Sequence, residues 1–203
     1  CPLCPRLVAF REEAQRLHPD WHNNPVPYWG DEAAKLIIIG LAPGLKGANR
    51  TGRPFTGDYA GDLLYATLLK GGRARGAYEK RFDDGLELLD CRIVNSVRCV
   101  PPQNKPLPLE INTCNRFLKA ALDAHTQARA FLALGAIAHD AALKALGEKK
   151  SAHKFGHGAR HRMKDGRPLI DSYHCSRYNT NTGVLTPAMF EGAVGAAKAA
   201  AGL

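Results

Sequence analysis

The sequence predicts an α/β protein in which a parallel sheet is covered by helices on both faces. Short apolar runs of strand length alternate along the chain with longer segments whose apolar residues recur at helical spacing. The chain has 203 residues, 45% of them hydrophobic, which is enough for one domain with a sizeable core. Since no internal repeat or linker interrupts the pattern, we expect residues 1–203 to form a single domain.

The N-terminal part of the chain contains a predicted helix, a loop and a strand. Residues 3–17 are predicted to be helical because apolar side chains recur three or four positions apart. These are Leu3, Leu7, Phe10, Ala14 and Leu17. Residues 20–31 contain Pro25, Pro27 and Trp29 and are predicted to be a loop. Residues 35–41 form an apolar run that predicts the first buried strand.

The middle of the chain continues the alternation. Residues 58–69 are predicted to form a helix with Asp58 as its N-cap. Residues 70–90 are a charged connection that we expect to be partly helical. The following elements are a second strand at 91–97, a proline-rich loop at 101–108 and a helix at 109–124.

The C-terminal part adds two more strands, each followed by a helix. A third strand is predicted at 128–134 and a helix at 136–146. A basic loop leads to the fourth strand at 168–172, and the last helix covers 187–200. Four strands with intervening helices favour parallel pairing.

Two loops that follow predicted strands stand out as parts of a ligand site. The segment GLAPGLKGANRTGRPFTGD, residues 40–58, follows the first strand, and SYHCSRYNTNTG, residues 172–183, follows the fourth. Loops at the carboxyl ends of parallel strands lie along one edge of the sheet, where α/β proteins bind ligands. The sequence therefore predicts one composite site built from distant segments.

The charge of the chain favours a polyanionic partner. The formal net charge is +9 and the pI is about 9.4, and nucleic acid is the first polyanion to consider. Residues 149–167 contain seven Lys or Arg and a single acid, Asp165, together with three histidines. A uniformly basic, solvated surface is the alternative interpretation, but this local patch adjoins the second site loop.

The chain shows no sign of a membrane segment or a secretory leader. No apolar run approaches the roughly 18 residues that a membrane span needs. No signal peptide is visible, although the sequence starts at Cys1 and native residues before it are not ruled out. We therefore expect no membrane partner. Nothing in the pattern suggests a dimerisation face, and we expect a monomer.

The six cysteines suggest a metal site more than disulfides. Cys1 and Cys4 form CPLC, two thiols one helical turn apart, and Cys99 and Cys114 are separated by fourteen residues. Four thiolates suit iron–sulfur and zinc equally well on spacing alone. Cys99 and Cys114 are alternatively two unrelated buried thiols. Cys91 lies inside a strand and Cys175 in the second site loop, where adjacent His174 is the one evident partner for a nucleophile.

Three segments together resemble the signature motifs of the uracil-DNA glycosylase superfamily. They are residues 40–58, the segment IVNSVRCVPPQNKP and residues 172–183. The closest resemblance is to the family 5, or B-type, branch of bacteria and archaea, to which KFGHGARH before the last motif is also similar. The resemblance runs from Cys1 to about Pro187. Three motifs in order, with four cysteines, are specific, whereas any one of them alone is not.

The resemblance implies a fold, a cofactor and a reaction. The implied fold is a three-layer α/β/α sandwich with a central four-stranded parallel sheet. The implied cofactor is a structural 4Fe–4S cluster on Cys1, Cys4, Cys99 and Cys114. The implied activity is hydrolysis of the N-glycosidic bond of uracil, and of other deaminated or damaged bases in DNA, to leave an abasic site. Such an enzyme would act in DNA repair in the cytoplasm of a bacterial or archaeal cell, on nucleoid DNA.

The chain departs from the superfamily pattern at two places. Other members have an acid or amide at the positions of Leu41 or Ala42 to hold the water, whereas both residues are apolar here, as is typical of family 5. The third motif, usually His-Pro-Ser, is His174-Cys175-Ser176, and replacing the rigid proline is expected to loosen the loop that follows.

A flipped base needs a flat wall, a polar partner and a donor for its developing charge. Phe55 is the candidate wall and Asn95, at the end of the second strand, matches the O4 and N3–H edge of uracil. The alternatives are loop packing for Phe55 and backbone capping for Asn95. His174 is the candidate donor to the anion that develops on O2. Glycines at positions 40, 44 and 47 allow close backbone approach. The base-binding set also contains Gly40, Leu41, Ala42 and Gly44.

Two residues are candidates to position the attacking water. Asp58 is the one carboxylate in the first motif, but it is also the expected helix cap, and Asn49 lies on the loop tip. We favour Asn49 slightly. A base that leaves as a well-stabilised anion needs little help from a general base, so neither residue is required to be essential.

The remaining candidates contact DNA. Ser176, Arg177, Tyr178 and Asn179 follow His174 and are placed to enter the minor groove and fill the gap left by the flipped base. Phosphate contacts are predicted for basic residues of the first loop and of the basic segment, each of which is alternatively an ordinary solvated charge. They are Lys46, Arg50, Lys154 and Arg160.

Two rival interpretations belong to other classes of protein. Residues 47–52 have the Gly-to-Gly spacing of a Walker A loop, but Arg53-Pro54 replaces the Lys-Ser/Thr that would hold phosphates and magnesium. A non-catalytic nucleic-acid-binding module stabilised by zinc or an iron–sulfur cluster explains the charge and the cysteines. It does not explain Asn95 and His174 at the ends of strands.

Overall fold

The centre of the molecule is the predicted parallel sheet. A computed structural model describes residues 1–203, and in it four parallel strands lie in the order β5-β2-β6-β8. They are β2 (Leu36–Gly40), β5 (Cys91–Asn95), β6 (Ala130–Leu134) and β8 (Pro168–Ser172). The two central strands, β2 and β6, are apolar and buried along their whole length because both of their faces are covered, which is typical of parallel sheets. The predicted four-stranded parallel sheet is therefore confirmed.

Short antiparallel strands extend this sheet to six at its two edges. β1 (Trp29–Gly30) pairs with β5, and β7 (Arg160–Arg162) pairs with β8. The sequence predicted loops at both places. Two or three residues are too few to show an alternating apolar pattern, so tertiary pairing alone identifies these strands.

Helices cover both faces of the sheet and complete the three-layer α/β/α sandwich. α3 (Tyr59–Lys70) and α7 (Pro187–Ala200) pack on one face, and α4 (Pro108–Ala124) and α5 (Ala136–Ala145) on the other. Alternate residues of β2 separate the two cores: Leu36 and Ile38 belong to the first, and Ile37 and Ile39 to the second. α1 (Pro5–Leu17) lies apart and packs over a smaller apolar cluster.

Two short helices lie inside the predicted site loops. They are α2 (Ala48–Thr51) in the first loop and α6 (Arg177–Asn181) in the second. Asp58 caps α3 as predicted, since its side chain accepts a hydrogen bond from the Gly61 N–H. None of the helices is both long and apolar enough to cross a membrane.

The expectation that residues 70–90 are partly helical is wrong. This connection contains a two-stranded hairpin, β3 (Ala74–Arg75) paired antiparallel with β4 (Glu87–Leu88). Its glycines prevent a helix: Gly76 has a φ of +90°, and a Cβ there would lie 2.2 Å from the Gly85 carbonyl oxygen. The backbone at Gly76 therefore lies close to the backbone at Gly85, and β3 packs against α3.

Candidate active site

The register of the parallel strands brings the predicted segments to one edge of the sheet. Gly40 is paired with Asn95 across β2 and β5, and Leu134 with Ser172 across β6 and β8. Ser96 fixes the first pair, because both its N–H and its hydroxyl donate to the Gly40 carbonyl at 2.9 Å. The loops that start at these four positions therefore share one side of the molecule, as predicted from the order of strands and helices.

A cavity of about 410 Å³ opens between the two site loops. Predicted residues from the first loop and from the second loop line it together. They are Leu41, Ala42, Gly44, Phe55, Asp58, His174, Ser176 and Arg177. Ala48, Tyr59, Ala60 and Asn104 also line the cavity and were missed by the sequence reasoning.

Phe55 and His174 face each other across this cavity. Their ring centroids lie 6.0 Å apart with planes inclined by 29°. Phe55 is almost fully buried, so its ring forms a fixed apolar wall. Burial lowers the pKa of His174, which makes the imidazole neutral at physiological pH. A neutral imidazole retains one N–H and can donate it to an oxygen that gains negative charge.

Gly40 adjoins both Asn95 and the Phe55 ring, and neither Gly40 nor Asn95 lines the cavity itself. A Cβ on Gly40 would lie 2.5 Å from Asn95 Oδ1 and 2.8 Å from Phe55 Cε2, so only glycine fits between them. The Oδ1 atom of Asn95 is buried and has no hydrogen-bond partner in the protein. An unpartnered buried acceptor is costly, and a donor on a bound ligand would relieve that cost.

The two candidates for holding water have different surroundings. Asp58 lines the cavity, and its Oδ2 lies 2.5 Å from where a Cβ on Gly47 would be. Burial raises the pKa of Asp58, although hydrogen bonds from the Gly61 and Ala60 N–H groups oppose the shift. Asn49 is fully buried, donates its Nδ2 to Asn23 Oδ1 at 2.8 Å and does not line the cavity. Of the two candidates, Asp58 therefore lies at the cavity wall and Asn49 lies outside it.

The segment after His174 divides into buried and exposed parts. Ser176 caps α6 by accepting from the Asn179 N–H, and Asn179 Nδ2 donates to the His174 carbonyl at 2.9 Å. These two side chains support the loop itself. Arg177 and Tyr178 project outward, with Tyr178 73% exposed and the Arg177 guanidinium 5.5 Å from the Tyr59 ring centroid.

Cys175 is fully buried and is not placed to act as a nucleophile. Burial raises the pKa of its thiol far above the usual range, so the thiolate is not formed at neutral pH.

The predicted phosphate-binding residues are exposed and unpaired. Lys46, Arg50, Lys154 and Arg160 all have exposed side chains, and none of them forms an ion pair. By contrast, several basic residues elsewhere are neutralised by acids. They include Lys70, Arg75, Lys80, Arg81 and Lys119. Arg16, Arg116 and Arg129 are also exposed and form no ion pair, so what distinguishes the four predicted residues is their place in the first site loop and in the basic segment.

Three of the four predicted metal-binding cysteines lie in one small cluster under α1. Cys4, Cys99 and Cys114 pack together with Leu7 and Val97, and all are free thiols. Cys1 is exposed, and its carbonyl accepts a hydrogen bond from Arg11 Nη2 at 3.1 Å. No three of these sulfur atoms lie within 4.8 Å of one another. The thiols are therefore not arranged as a closed zinc shell, in which Zn–S bonds of 2.3 Å would place the sulfurs about 3.8 Å apart.

One group of metal-ligand type was not predicted. His139, His161 and Asp171 bring their ligand atoms within 4.8 Å of one another. Their polar atoms are already satisfied, because Asp171 accepts from His139 Nδ1 at 2.7 Å and from His161 Nε2 at 2.9 Å. His139 Nε2 faces the His153 carbonyl at 3.0 Å. These bonds attach the basic segment to β8, and the group has a structural role.

Comparison with known proteins agrees with this geometry. The family model described as "Uracil DNA glycosylase superfamily" matches residues 27–198. The "Type-5 uracil-DNA glycosylase" of Thermus thermophilus is 46% identical over 209 residues, covering 100% of this chain and 94% of that protein. The proteins of the same name from Mycobacterium bovis and Pyrobaculum aerophilum are 41% and 40% identical, covering 100% and 92% of this chain and 79% and 82% of their own lengths.

The motifs at the sheet edge, the family match and these full-length relatives lead to the same assignment, and the chain belongs to the type-5 branch of the uracil-DNA glycosylase superfamily.

Proposed function

We propose that this protein is a monofunctional DNA repair glycosylase. It hydrolyses the N-glycosidic bond of uracil, and of other deaminated or damaged bases, in DNA and leaves an abasic site. The observation that carries this proposal is the cavity in which a neutral His174 faces the fixed ring of Phe55. The three relatives named as uracil-DNA glycosylases support the substrate.

The base enters the cavity only after it has left the DNA stack. Phe55 then provides a stacking surface for it. Asn95 Oδ1, buried without a partner, accepts a hydrogen bond from N3–H of uracil. Gly40 allows this contact, since a side chain there would occupy the space between Asn95 and Phe55.

His174 stabilises the charge that develops during cleavage. As the glycosidic bond breaks, the sugar becomes positive and the base gains negative charge at O2. An N–H of neutral His174 donates to that oxygen, in a site with little water to screen the interaction. Loss of one such donor lowers the rate by about 100-fold or more.

Asp58 holds the attacking water. Its carboxylate lines the cavity, and its raised pKa makes it a better proton acceptor than an exposed aspartate. Asn49 is bonded to Asn23 instead, and we assign it a role in holding α2 in place. The exposed cations Lys46, Arg50, Lys154 and Arg160 contact phosphates. Arg177 and Tyr178 of α6 contact the groove from which the base has left.

A structural 4Fe–4S cluster on Cys1, Cys4, Cys99 and Cys114 fits the donor set. All four thiols are free, and those of Cys4, Cys99 and Cys114 are grouped in an apolar cluster. Cys1 lies three residues before Cys4, and its carbonyl accepts a hydrogen bond from Arg11. When bound, the cluster would link α1 to the segment after β5 and to α4, and it has no part in catalysis. We place the enzyme in the cytoplasm of a bacterial or archaeal cell, acting as a monomer on nucleoid DNA.

The test is release of the base. Purified protein is incubated with a labelled duplex containing one uracil opposite guanine, and alkali then cleaves any abasic site. Strand cleavage at the lesion that is lost in His174→Ala supports the proposal. If neither uracil nor hypoxanthine duplexes are cleaved by cluster-loaded protein that still binds DNA, the chain is a non-catalytic binding module instead.

A further inference from the structure

The backbone of Phe55 is held in an unfavourable conformation. Its φ is +54°, in the left-handed region that bulky residues rarely adopt. Such a conformation costs free energy and persists only when the surrounding structure holds it, and such residues cluster at functional sites. Phe55 is the residue of the first loop whose ring faces His174. The groups that hold residues 53–57 in this turn therefore also decide where the base-stacking wall lies.

Tyrosine hydroxyls hold the carbonyl groups of this turn. Tyr65 donates to the Pro54 carbonyl, and Tyr78 donates to the Phe55 carbonyl at 3.2 Å. The Tyr78 oxygen also accepts from the Gly57 N–H at 3.3 Å, so this one hydroxyl bridges both sides of Phe55. Burial raises the pKa of Tyr78 to about 12, and the hydroxyl therefore keeps its proton at neutral pH.

An ion pair fixes the start of the same turn. Arg53 is fully buried and donates from Nη1 and Nη2 to the two oxygens of Asp84, each at 2.7 Å. Its Nε donates to Thr56 Oγ1 at 2.7 Å. The guanidinium lies 4.8 Å from the Trp29 ring centroid, with Tyr65 and Tyr78 next in distance. All three polar edges of Arg53 are thus occupied, and the turn cannot rotate without breaking a buried charge-assisted bond.

Tyr78 and Asp84 belong to the connection between α3 and β5, for which no site role has been described. We propose that this connection is a positioning element for catalysis, in which the Tyr78 hydroxyl and the Arg53–Asp84 pair hold Phe55 against the flipped base. The inference rests on the proposed function. Gly61 of α3 supports it, because a Cβ there would lie 1.7 Å from the Phe55 carbonyl oxygen and 2.5 Å from the Tyr78 oxygen, so only glycine leaves room for the bond between them.

The test removes one oxygen atom. Tyr78→Phe keeps the ring and loses both hydrogen bonds to the turn. Tyr28→Phe is the matched control, since the Tyr28 hydroxyl is also buried but has no hydrogen-bond partner. We expect Tyr78→Phe to lower the single-turnover rate at saturating enzyme by about tenfold, the value of one or two net hydrogen bonds. The Kd for undamaged duplex should change by less than about twofold, because phosphate contacts set it.

A second readout is independent of activity. The Gly57 amide should exchange its hydrogen about tenfold faster in Tyr78→Phe than in wild type, because it loses its only acceptor. Thr56→Val, which removes the acceptor of Arg53 Nε, should also slow turnover, and Thr56→Ser should restore it.

The outcomes separate this inference from the proposed function. A wild-type rate and wild-type Gly57 exchange in Tyr78→Phe, with an active parent enzyme, overturn the inference and leave the glycosylase proposal intact. An equal loss of rate in Tyr28→Phe, or a parallel loss of DNA affinity, assigns Tyr78 to general stability and also overturns it. If wild-type protein releases no base, the proposed function fails and the positioning role fails with it.

Discussion

At the scale of single residues, the two carboxylate oxygens of Asp58 have different surroundings. One oxygen accepts from the Gly61 N–H and caps α3, while the other faces the cavity beside Gly44 and Gly47. The cap and the water-binding role were opposed interpretations of the sequence. The structure is compatible with both at once, because a carboxylate has two oxygens and each points to a different task.

Asparagine at position 58 separates these roles. Asn caps helices as well as Asp does, so Asp58→Asn should keep α3 intact while the rate of base release falls by about 100-fold. Because the folded pKa of Asp58 is raised, its charge costs stability above pH 3.8, and Asp58→Asn should be at least as stable as wild type near neutral pH. Asp58→Ala also loses the helix cap, which should lower the free energy of unfolding by about 1 kcal/mol. Single-turnover rates and urea unfolding measure these effects, and a fully active Asn variant would exclude Asp58 from catalysis.

At the scale of secondary-structure elements, β8 and the basic segment are joined by a buried charge network. Burial alone would lower the pKa of His139, but the hydrogen bond and charge of Asp171 outweigh it and raise that pKa. Both ring nitrogens of His139 face oxygen acceptors, which requires the protonated imidazolium. Asp171 also accepts from the Gly156 N–H, and in this way the network supports the loop that carries Lys154.

His139→Gln should therefore destabilise the protein in a pH-dependent way. A folded pKa above the ordinary 6.5 adds stability that is complete below about pH 6.5 and is lost as the pH rises through the folded value. We expect the variant to lose about 3 kcal/mol at pH 5.5 and clearly less at pH 8.5. Urea unfolding of both proteins at the two pH values measures this. If the loss of unfolding free energy in His139→Gln were the same at both pH values, the result would contradict a protonated His139 in the folded protein.

The elements themselves show what the sequence does and does not predict. The strand β8 and the helix α7 were predicted at their observed bounds, since continuous apolar runs and helical periodicity are strong local signals. The hairpin β3–β4 was misjudged because its two-residue strands depend on contacts with α3. Tyr59 and Asn104 were missed as cavity residues, because their place follows from the packing of separate segments rather than from any motif.

At the scale of the whole molecule, the charge distribution predicts how DNA binding depends on salt. Each phosphate contact contributes about −0.9 to the slope of log K against log salt concentration. Lys154→Gln and Arg160→Gln should each reduce the magnitude of that slope by about 0.9. Lys119→Gln is the control, because Lys119 is paired with Asp123 on α4, and its slope should equal that of wild type. If wild type and all three variants had the same slope, Lys154 and Arg160 would not be phosphate contacts.

The cysteine cluster predicts a link between the N-terminal helix and the rest of the fold. Cys99→Ala should lose iron and acid-labile sulfide and lower the Tm, because the proposed iron–sulfur cluster would join α1 to the segment after β5. Cys91→Ala is the control: Cys91 is buried inside β5, away from the other thiols, and its loss should leave the iron content unchanged. Iron retained at the wild-type level in Cys99→Ala would exclude Cys99 as a ligand.

The register that pairs Gly40 with Asn95 and Leu134 with Ser172 also has a consequence for synthesis of the protein. β8 is the last of the parallel strands to leave the ribosome, and His174 follows it. During synthesis the chain therefore contains Phe55 and Asn95 before it contains the proposed donor to the leaving base. A chain that stops before β8 lacks both a central strand of the sheet and this donor, so we expect it to release no base.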